Sequence, residues 1–147
     1  MNYVIDTNIV LTYLKNGKVK EHIESEYKLF ESPQKPIISI VTIAEIRAIA
    51  LRNNWGQKRI EIVEKFLNEL IVVDIRYNDL INAYAEIDVF SQGKLKGKPL
   101  MLSSRNMGKN DIWIAATAYV TNSKLVTIDQ DFKHLDNQYL ELILIEI

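Results

Sequence analysis

The chain has 147 residues, of which 48% are apolar, 25% are charged and none is cysteine, and its formal net charge at pH 7 is −1. This composition is typical of one globular domain, here residues 1–147, and excludes a disordered chain, disulfides and thiolate metal sites. The near-neutral charge also argues against a protein that grips nucleic acid over its whole surface, which would be strongly basic.

Short β-rich runs alternate along the chain with amphipathic stretches, a pattern typical of βαβ units around a parallel sheet. We predict strands at residues 2–5, 37–40, 71–75, 124–128 and 142–147. The helices between them are predicted at residues 9–14, 19–30, 42–51, 57–70, 78–90 and 111–120. The sequence therefore favours an α/β fold with a central, mainly parallel sheet of four to five strands.

The N-terminal residues lead straight into the first predicted strand, without the basic segment and apolar run of a secretory signal. The apolar run at residues 142–147 is strand-sized and far shorter than the roughly 20 apolar residues that span a bilayer. We therefore expect a cytoplasmic protein that does not insert into membranes.

Four carboxylates lie where a predicted strand ends or a predicted helix begins. Asp6 follows the first strand, Glu45 the second and Asp129 the fourth, while Asp111 opens the last helix. The carboxyl ends of parallel strands face one crevice, so these acids can converge although they are distant in sequence. Two carboxylates about 5 Å apart repel by about 3 kcal/mol at an effective dielectric constant near 20. Because hard cations such as Mg²⁺ and Mn²⁺ prefer oxygen ligands and supply the compensating charge, the pattern predicts a divalent-metal site.

Each acid, taken alone, also has a purely structural explanation. Asp6 could cap the helix that begins near Ile9, because a short polar side chain accepts hydrogen bonds from the free amides of a first turn. Thr42 and Glu45 have the spacing of a capping box, in which Glu45 would only reach back to the Thr42 amide.

The other two acids are equally ambiguous when each is considered alone. Asn110 and Asp111 fit an N-cap followed by an acid in the first turn, where the helix dipole stabilises it. Asp129 and Asp131 could only shape a turn after a buried strand. The case for a metal site therefore rests on the joint pattern and not on any single acid.

Four segments, in this order, resemble the motifs of PIN-domain nucleases, especially the VapC-like toxins of bacterial toxin-antitoxin pairs. The segments are residues 4–8 (VIDTN), 39–45 (SIVTIAE), 110–116 (NDIWIAA) and 125–132 (LVTIDQDF). The resemblance spans nearly the whole chain. It implies a three-layer α/β/α PIN-like domain and a metal-dependent endoribonuclease that hydrolyses RNA phosphodiester bonds with Mg²⁺ or Mn²⁺.

The resemblance also implies roles for individual residues. The acidic quartet, which would be both catalytic and metal-binding, matches Asp6, Glu45, Asp111 and Asp129. We expect Asp6 and Asp111 to be the principal ligands, and Glu45 and Asp129 to bind directly or through water. Supporting polar positions, which would orient the ligands, match Asn8 and Thr127.

The fourth acid has two candidates, because Asp131 lies close enough in sequence to share or replace the role of Asp129. We place Asp129 first, since it follows the pair Thr127 and Ile128 that ends the predicted strand. Asp131 is then a supporting residue.

The stretch from residue 89 to residue 110 contains no acidic residue but is rich in cations and glycines. It is either a loop that contacts the phosphate backbone of RNA or a solvated loop with a chance run of lysines. The candidate RNA-binding residues are Lys94, Lys96, Lys98, Arg105 and Lys109. Single-stranded or looped RNA is the expected target, because its bases and backbone are more accessible than those of an A-form helix.

The partners implied by the resemblance are a second copy of the chain, in a homodimer, and a cognate antitoxin whose tail occupies a groove near the acids. The predicted helical hairpin at residues 42–70 contains apolar residues that could form an interface or simply the core. These residues are Ile46, Ile49, Leu51, Ile60, Ile62, Val63 and Phe66. The alternative function is a catalytically silent PIN-fold module that binds protein or RNA.

The remaining histidine and tryptophan residues are not assigned to the site. His22 and His134 are both expected at the surface, so a ribonuclease mechanism based on paired histidines has little support. Trp55 and Trp113 could stack on bases, but Trp113 is expected to pack within the domain.

Overall fold

The computed structural model of the protein describes residues 2–147 and contains a five-stranded sheet. The strands are β1 (Tyr3–Ile5), β2 (Ile37–Ser39), β3 (Ile71–Val73), β4 (Lys124–Thr127) and β5 (Glu141–Leu144). Their spatial order is β3-β2-β1-β4-β5, and every pairing is parallel. The predicted α/β fold with a central parallel sheet is therefore confirmed.

Helices connect the strands, as parallel pairing requires. They are α1 (Thr7–Lys15), α2 (Lys18–Tyr27), α3 (Ile40–Arg52), α4 (Gln57–Leu67), α5 (Asn78–Ser91) and α6 (Lys109–Val120). A 3₁₀ helix at Gln130–Leu135, which the sequence analysis did not predict, follows β4. Within the described part of the chain, no helix is both long enough and apolar enough to cross a membrane.

The start of two helices differs from the prediction because the capping residues differ. Ser39, predicted to lie within a strand, caps α3 by accepting a hydrogen bond from the Val41 amide at 3.2 Å. The capping box from Thr42 to Glu45 is therefore wrong, since the helix begins before Thr42. Gly108 and not Asn110 precedes α6, which begins at Lys109.

The central strands β1, β2 and β4 are buried on both faces, which accounts for their mainly apolar sequences, whereas the edge strand β3 is partly exposed. Successive residues in a strand point to opposite faces, so Val4 belongs to a core cluster with residues of α5 and α6. Ile5 belongs to a second cluster with residues of α1 to α4. The predicted three-layer arrangement is thus confirmed, with α1 to α4 on one face and α5, α6 and the 3₁₀ helix on the other.

The topology brings the predicted acidic segments to one end of the sheet. β1 lies between β2 and β4, and Ile5 pairs with Val126 across the β1–β4 ladder. The Asp6 amide continues this ladder by donating to the Val126 carbonyl at 3.0 Å. In such open sheets the crevice for ligands lies at the carboxyl ends of the strands, where connections leave the central strand in opposite directions.

Candidate active site

Asp6 lies at the centre of a buried hydrogen-bond network at the carboxyl end of β1. Its side chain is 4% exposed, and it caps α1 by accepting from the Thr7 amide at 2.7 Å through Oδ1. Oδ2 accepts from the Thr127 hydroxyl at 2.7 Å and from the Asn8 side-chain amide at 3.1 Å. The capping explanation for Asp6 is therefore correct but incomplete, because a cap alone needs only one of these contacts.

Asn8 and Thr127 connect Asp6 to the segment that follows β4. The Asn8 side chain donates to the Thr127 hydroxyl at 3.4 Å and accepts from the Ile128 amide at 3.3 Å. The Thr127 hydroxyl also accepts from the Asp129 amide at 3.0 Å. Two of the three predicted supporting residues, Asn8 and Thr127, thus hold the Asp6 carboxylate and the segment after β4 in fixed positions.

Thr7, which the sequence analysis did not assign to the site, connects Asp6 to Glu45. Its hydroxyl donates to Glu45 Oε1 at 2.6 Å and lies 3.1 Å from the hydroxyl of Thr42. Glu45, on the first half of α3, is therefore bound by a neighbouring segment instead of by its own helix. In the sequence, the only indication that Thr7 belongs to the site is its position directly after Asp6. This indication is weak, because threonine is also common at the start of a helix.

Asp129 and Asp131 occupy different environments at the end of β4. Asp129 is half-buried and caps the 3₁₀ helix by accepting from the Asp131 amide at 2.9 Å. Asp131 is exposed. The charge of Asp129 raises the pKa of both Asp6 and Asp111, whereas that of Asp131 raises only the pKa of Asp111, and least of all the neighbouring acids. This asymmetry supports Asp129 as the fourth acid.

Asp111, in the first turn of α6, is electrostatically coupled to the other acids. Burial, followed by the charges of Asp6, Asp129 and Glu45, raises its pKa to about 7. The pKa of Asp6 is raised to about 6, mainly by burial, and hydrogen bonds from Thr127 and Thr7 oppose this rise. Because such coupling requires proximity, the four acids share one electrostatic environment.

The donor set fits a hard divalent cation in its chemistry. All four acids offer oxygen, and the raised pKa values of Asp6 and Asp111 show that negative charge here lacks compensation. As the side chains stand, no three His, Cys, Asp or Glu residues within residues 2–147 are grouped closely enough to hold a metal ion. The arrangement is therefore a coupled acidic cluster and not a closed coordination shell.

The candidate RNA-binding residues lie in the segment between α5 and α6 and at the first position of α6, and they differ in how many contacts they make with the protein. Lys98 donates to the Gln138 carbonyl at 2.9 Å and lies 3.8 Å from the ring centre of Tyr139. Arg105 is half-buried, and its amide donates to the Ser91 carbonyl at 2.9 Å. The other three, Lys94, Lys96 and Lys109, are exposed.

His134 is not at the surface, so the prediction for this residue is wrong. It is 3% exposed, and its Nε2 lies 2.7 Å from the Ser91 hydroxyl. Burial and the nearby charge of Arg105 lower its pKa to about 4, so it is neutral at pH 7. His134 belongs to the 3₁₀ helix, which the sequence did not predict, and it contacts Ser91 at the end of α5. His22 is exposed, as predicted.

The two tryptophans both contact other side chains of the domain. Trp113 is half-buried, with its ring centre 4.2 Å from that of Tyr84, in agreement with the prediction that it packs. Trp55 lies under the guanidinium of Arg59, at 4.1 Å.

Comparison with known protein families and sequences agrees with this geometry. Residues 3–138 match the model of the PIN domain. Ribonuclease VapC2 of Haemophilus influenzae strain Rd is 29% identical over 121 residues, which are 80% of this chain and 79% of the relative. Ribonuclease VapC of Haemophilus influenzae strain 86-028NP matches with the same identity and coverage.

Solved structures of similar fold come from toxin-antitoxin complexes. VapBC2 from Rickettsia felis, bound to a DNA fragment from its promoter, superposes with a TM-score of 0.72 at 23% identity, covering 97% of this chain and 98% of the other. VapBC-1 from nontypeable Haemophilus influenzae superposes with a TM-score of 0.70 at 23% identity and covers 98% of each chain. At this identity the likeness supports the shared fold alone.

Proposed function

This chain belongs to the PIN-domain family, and from that premise we propose that it is a cytoplasmic endoribonuclease, the toxin of a toxin-antitoxin pair. We further propose that it uses a divalent cation, Mg²⁺ or Mn²⁺, to hydrolyse RNA phosphodiester bonds. The names of its relatives, Ribonuclease VapC2 and Ribonuclease VapC, support the activity. The names of the toxin-antitoxin complexes that share its fold support the biological role.

The observation that carries this proposal is the coupling of a buried carboxylate to three others from separate segments. Asp6 is almost fully buried and its pKa is raised to about 6. Folding alone would favour replacement of such a carboxylate by a neutral group, since burial of uncompensated charge is costly. A site that must attract a cation explains why acids remain there.

Asp6, Glu45, Asp111 and Asp129 are the residues that would hold the cation. A divalent cation in such a site lowers the pKa of bound water and stabilises the negative charge that develops on phosphate oxygens. Three of these acids, Glu45, Asp111 and Asp129, are half-buried, so an ion would reach them from solvent more easily than it would reach Asp6. Asp6 is fixed and provides the reference point for the others.

The remaining residues of the network orient the acids. Thr127 and Asn8 both donate hydrogen bonds to Asp6 Oδ2, so the Asp6 carboxylate has little freedom to rotate. The Thr7 hydroxyl holds Glu45 Oε1 near the same point. Outer partners of this kind commonly change metal affinity or activity by about 10- to 100-fold when removed.

The test is cleavage of single-stranded RNA by the purified protein with and without Mg²⁺. We expect cleavage that a chelator stops and that Asp6→Asn or Asp111→Asn lowers by at least about 100-fold, as for other groups that stabilise transition-state charge. Asp79→Asn is the matched control, because Asp79 is an exposed acid in the first turn of α5.

Two results would contradict the proposed activity. One is full cleavage by both Asp6→Asn and Asp111→Asn, which would place the active site elsewhere. The other is absence of cleavage by the folded wild-type protein with every RNA tested, combined with tight binding of a protein or RNA. That result would favour the alternative, a catalytically silent module.

An antitoxin is the proposed protein partner, and the hairpin of α3 and α4 offers an apolar surface for it. A groove of about 250 Å³ lies between these helices, with Ile46 and Val63 at its base and Leu51 at its rim. Leu51 is 80% exposed and Ile62 is 58% exposed, whereas Ile46 and Val63 belong to the core. Both interpretations of the apolar hairpin thus apply, each to different residues.

The role as a toxin and the expected homodimer have separate tests. Expression without the neighbouring gene should slow growth, and co-expression with it should yield a stable complex. Light scattering on the purified chain measures whether it forms the homodimer. Normal growth at high levels of soluble protein would count against the toxin role.

A further inference from the structure

A cleft lined by lysines adjoins the acidic site and is separate from the basic stretch between α5 and α6. It lies between α1 and the start of α2 and has a volume of about 310 Å³. Its cationic residues are Lys15, Lys18 and Lys20, and its inner end is formed by Asn8 and Ile128. We call it the lysine cleft.

The charge of the lysine cleft is not neutralised by neighbouring side chains. No Asp or Glu side chain lines it, although Ile147, the last residue of the chain, is among its lining residues. Within residues 2–147 none of Lys15, Lys18 and Lys20 forms a salt bridge. Lys20 is held in place by the Asn16 side chain at 2.8 Å, with its ammonium 5.8 Å from the ring centre of Tyr13. Lys15 and Lys18 are exposed. The cleft therefore combines one cation that is hydrogen-bonded to the protein with two exposed ones.

Asn8 belongs both to the lysine cleft and to the acidic site. Its amide nitrogen donates to Asp6 Oδ2 at 3.1 Å, and its amide oxygen accepts from Ile128. A ligand in the cleft would thus be one side chain away from the most buried acid. Volumes of roughly 300 to 1,000 Å³ are usual for sites of small molecules, so the cleft has room for a short stretch of nucleic-acid backbone.

We propose that the lysine cleft binds the phosphate backbone of the RNA strand next to the bond that is cleaved, a proposal that rests on the proposed nuclease function. An acidic site repels the phosphates that flank the reacting one, and cations beside the site offset that repulsion. Ammonium groups also gain affinity for nucleic acid by releasing counterions. The cleft and the exposed lysines Lys94, Lys96 and Lys109 would then both contact the strand.

An acidic protein segment would suit the same charges, but the position of the cleft favours RNA. Under the proposed function the substrate must reach Asp6, and Asn8 and Ile128 connect the cleft directly to that position. The apolar groove between α3 and α4 is lined by different residues, so a protein partner has a surface of its own.

The test measures binding of a fluorescent single-stranded RNA over a range of KCl concentrations. The parent protein carries Asp111→Asn to suppress cleavage, and the cleft variant adds Lys15→Gln and Lys18→Gln. We expect about 10-fold weaker binding and a salt slope smaller by about 1.4, since each lost phosphate contact in a single strand removes about 0.7. The matched control adds Lys58→Gln and Lys65→Gln, which remove the same charge from exposed positions on α4.

Cleavage by the protein without Asp111→Asn provides a second readout. Because the lysines bind substrate and transition state alike, their loss should raise KM and leave kcat nearly unchanged. The proposal would be overturned if the cleft variant and the control variant lost RNA affinity equally. It would also be overturned if the cleft variant bound RNA normally but no longer formed a complex with the antitoxin. If cleavage depends on metal but the cleft variants bind and cleave RNA like the wild type, the proposed role of the lysine cleft is wrong and the nuclease function stands. If RNA binding depends on the cleft lysines but no cleavage occurs, the nuclease function is wrong and RNA binding by the cleft stands.

Discussion

The acidic site and the basic stretch at residues 92–108 are both charged regions, but they are built in opposite ways. The acids come from four separate segments, and Asp6 is bonded to Thr127, 121 positions away. The basic stretch is one continuous segment, attached to the domain at a few points such as the contact of Lys98 with the Gln138 carbonyl. The first region depends on the fold, whereas the second depends mostly on local composition.

This difference determines how strongly the charged residues of each region depend on one another. In the acidic site, the pKa of an acid depends on its neighbours: the charges of four other carboxylates raise the pKa of Asp111. In the basic stretch, Lys98 and Arg105 pack against the protein while Lys94 and Lys96 are exposed. Lysines and arginines of one segment can therefore have different roles. A single substitution in the acidic site is expected to lower activity far more than one in the basic stretch.

Among substitutions that leave the net charge unchanged, we expect Thr7→Val to lower RNA cleavage the most. Thr7→Val keeps the shape of the side chain but removes the hydroxyl that donates to Glu45 at 2.6 Å. RNA cleavage should fall by about 10- to 100-fold, as for other partners that orient ligands, with little change in the melting temperature. Steady-state cleavage and thermal unfolding measure the two quantities.

Thr121→Val is the control for Thr7→Val, because the Thr121 hydroxyl contacts Thr117 and Ser123 at the end of α6. Cleavage by this variant should match the wild type. Full activity of Thr7→Val would show that Glu45 needs no outside partner, and the cooperative description of the acidic site would be wrong.

The next effect is a change in stability with pH in the absence of divalent cations. The folded-state pKa values of Asp6 and Asp111, about 6 and about 7, exceed the ordinary value of 3.8. Between pH 4 and pH 7 the folded protein therefore binds more protons than the unfolded chain at these groups, and their contribution to the free energy of unfolding decreases as pH rises. His134, with its lowered pKa, contributes with the opposite sign.

Comparison with Asp111→Asn isolates the acidic site, because the His134 contribution is common to both proteins. In a chelator, the variant should gain stability relative to the wild type as pH rises from 4 to 7, by an amount on the order of 2 kcal/mol after allowance for solvent screening. Denaturant unfolding at each pH measures this difference. Adding Mg²⁺ at pH 7 should stabilise the wild type more than the variant. A difference independent of pH would show that Asp111 is not coupled to the other acids.

The smallest effects are expected in the basic stretch, where they should separate by residue. Lys98→Gln should lower the melting temperature by about 3 °C, because it removes a cation–π contact worth about 1 kcal/mol. Lys94→Gln with Lys96→Gln should leave the melting temperature unchanged and raise KM for RNA several-fold. Thermal unfolding and cleavage kinetics of the two variants would show whether they separate. Identical behaviour would mean that the stretch is a uniform cationic surface.

Most of the fold could be predicted because its determinants are local in sequence. The five strands were each placed within a few residues, since apolar runs between turn residues mark buried strands. The errors lie at helix boundaries: Ser39 and Gly108 precede α3 and α6, and α2 and α4 end three residues earlier than predicted, at Tyr27 and Leu67. The 3₁₀ helix after β4 was missed, since six residues are too few to show a helical period.

The candidate site was predicted in part for a different reason. The order of the acidic segments was visible in the sequence, and the parallel sheet explains why Asp6, Glu45 and Asp129 are electrostatically coupled. The contact between Thr7 and Glu45 and the burial of His134 were not visible, because both depend on side chains from distant segments. The sequence did not predict the lysine cleft either, because Lys15, Lys18 and Lys20 have the pattern of ordinary solvated residues between two helices.

The sequence by itself determined the element order, the family motifs and the four acids that the fold couples electrostatically. Only the tertiary structure decided which polar neighbours hold those acids, which lysines of the basic stretch are tied to the protein, and which lysines lie beside Asn8. The physical reason is that apolar periodicity is repeated along the chain, whereas a hydrogen bond or a charge contact depends on distances of a few ångströms between segments that only packing brings together.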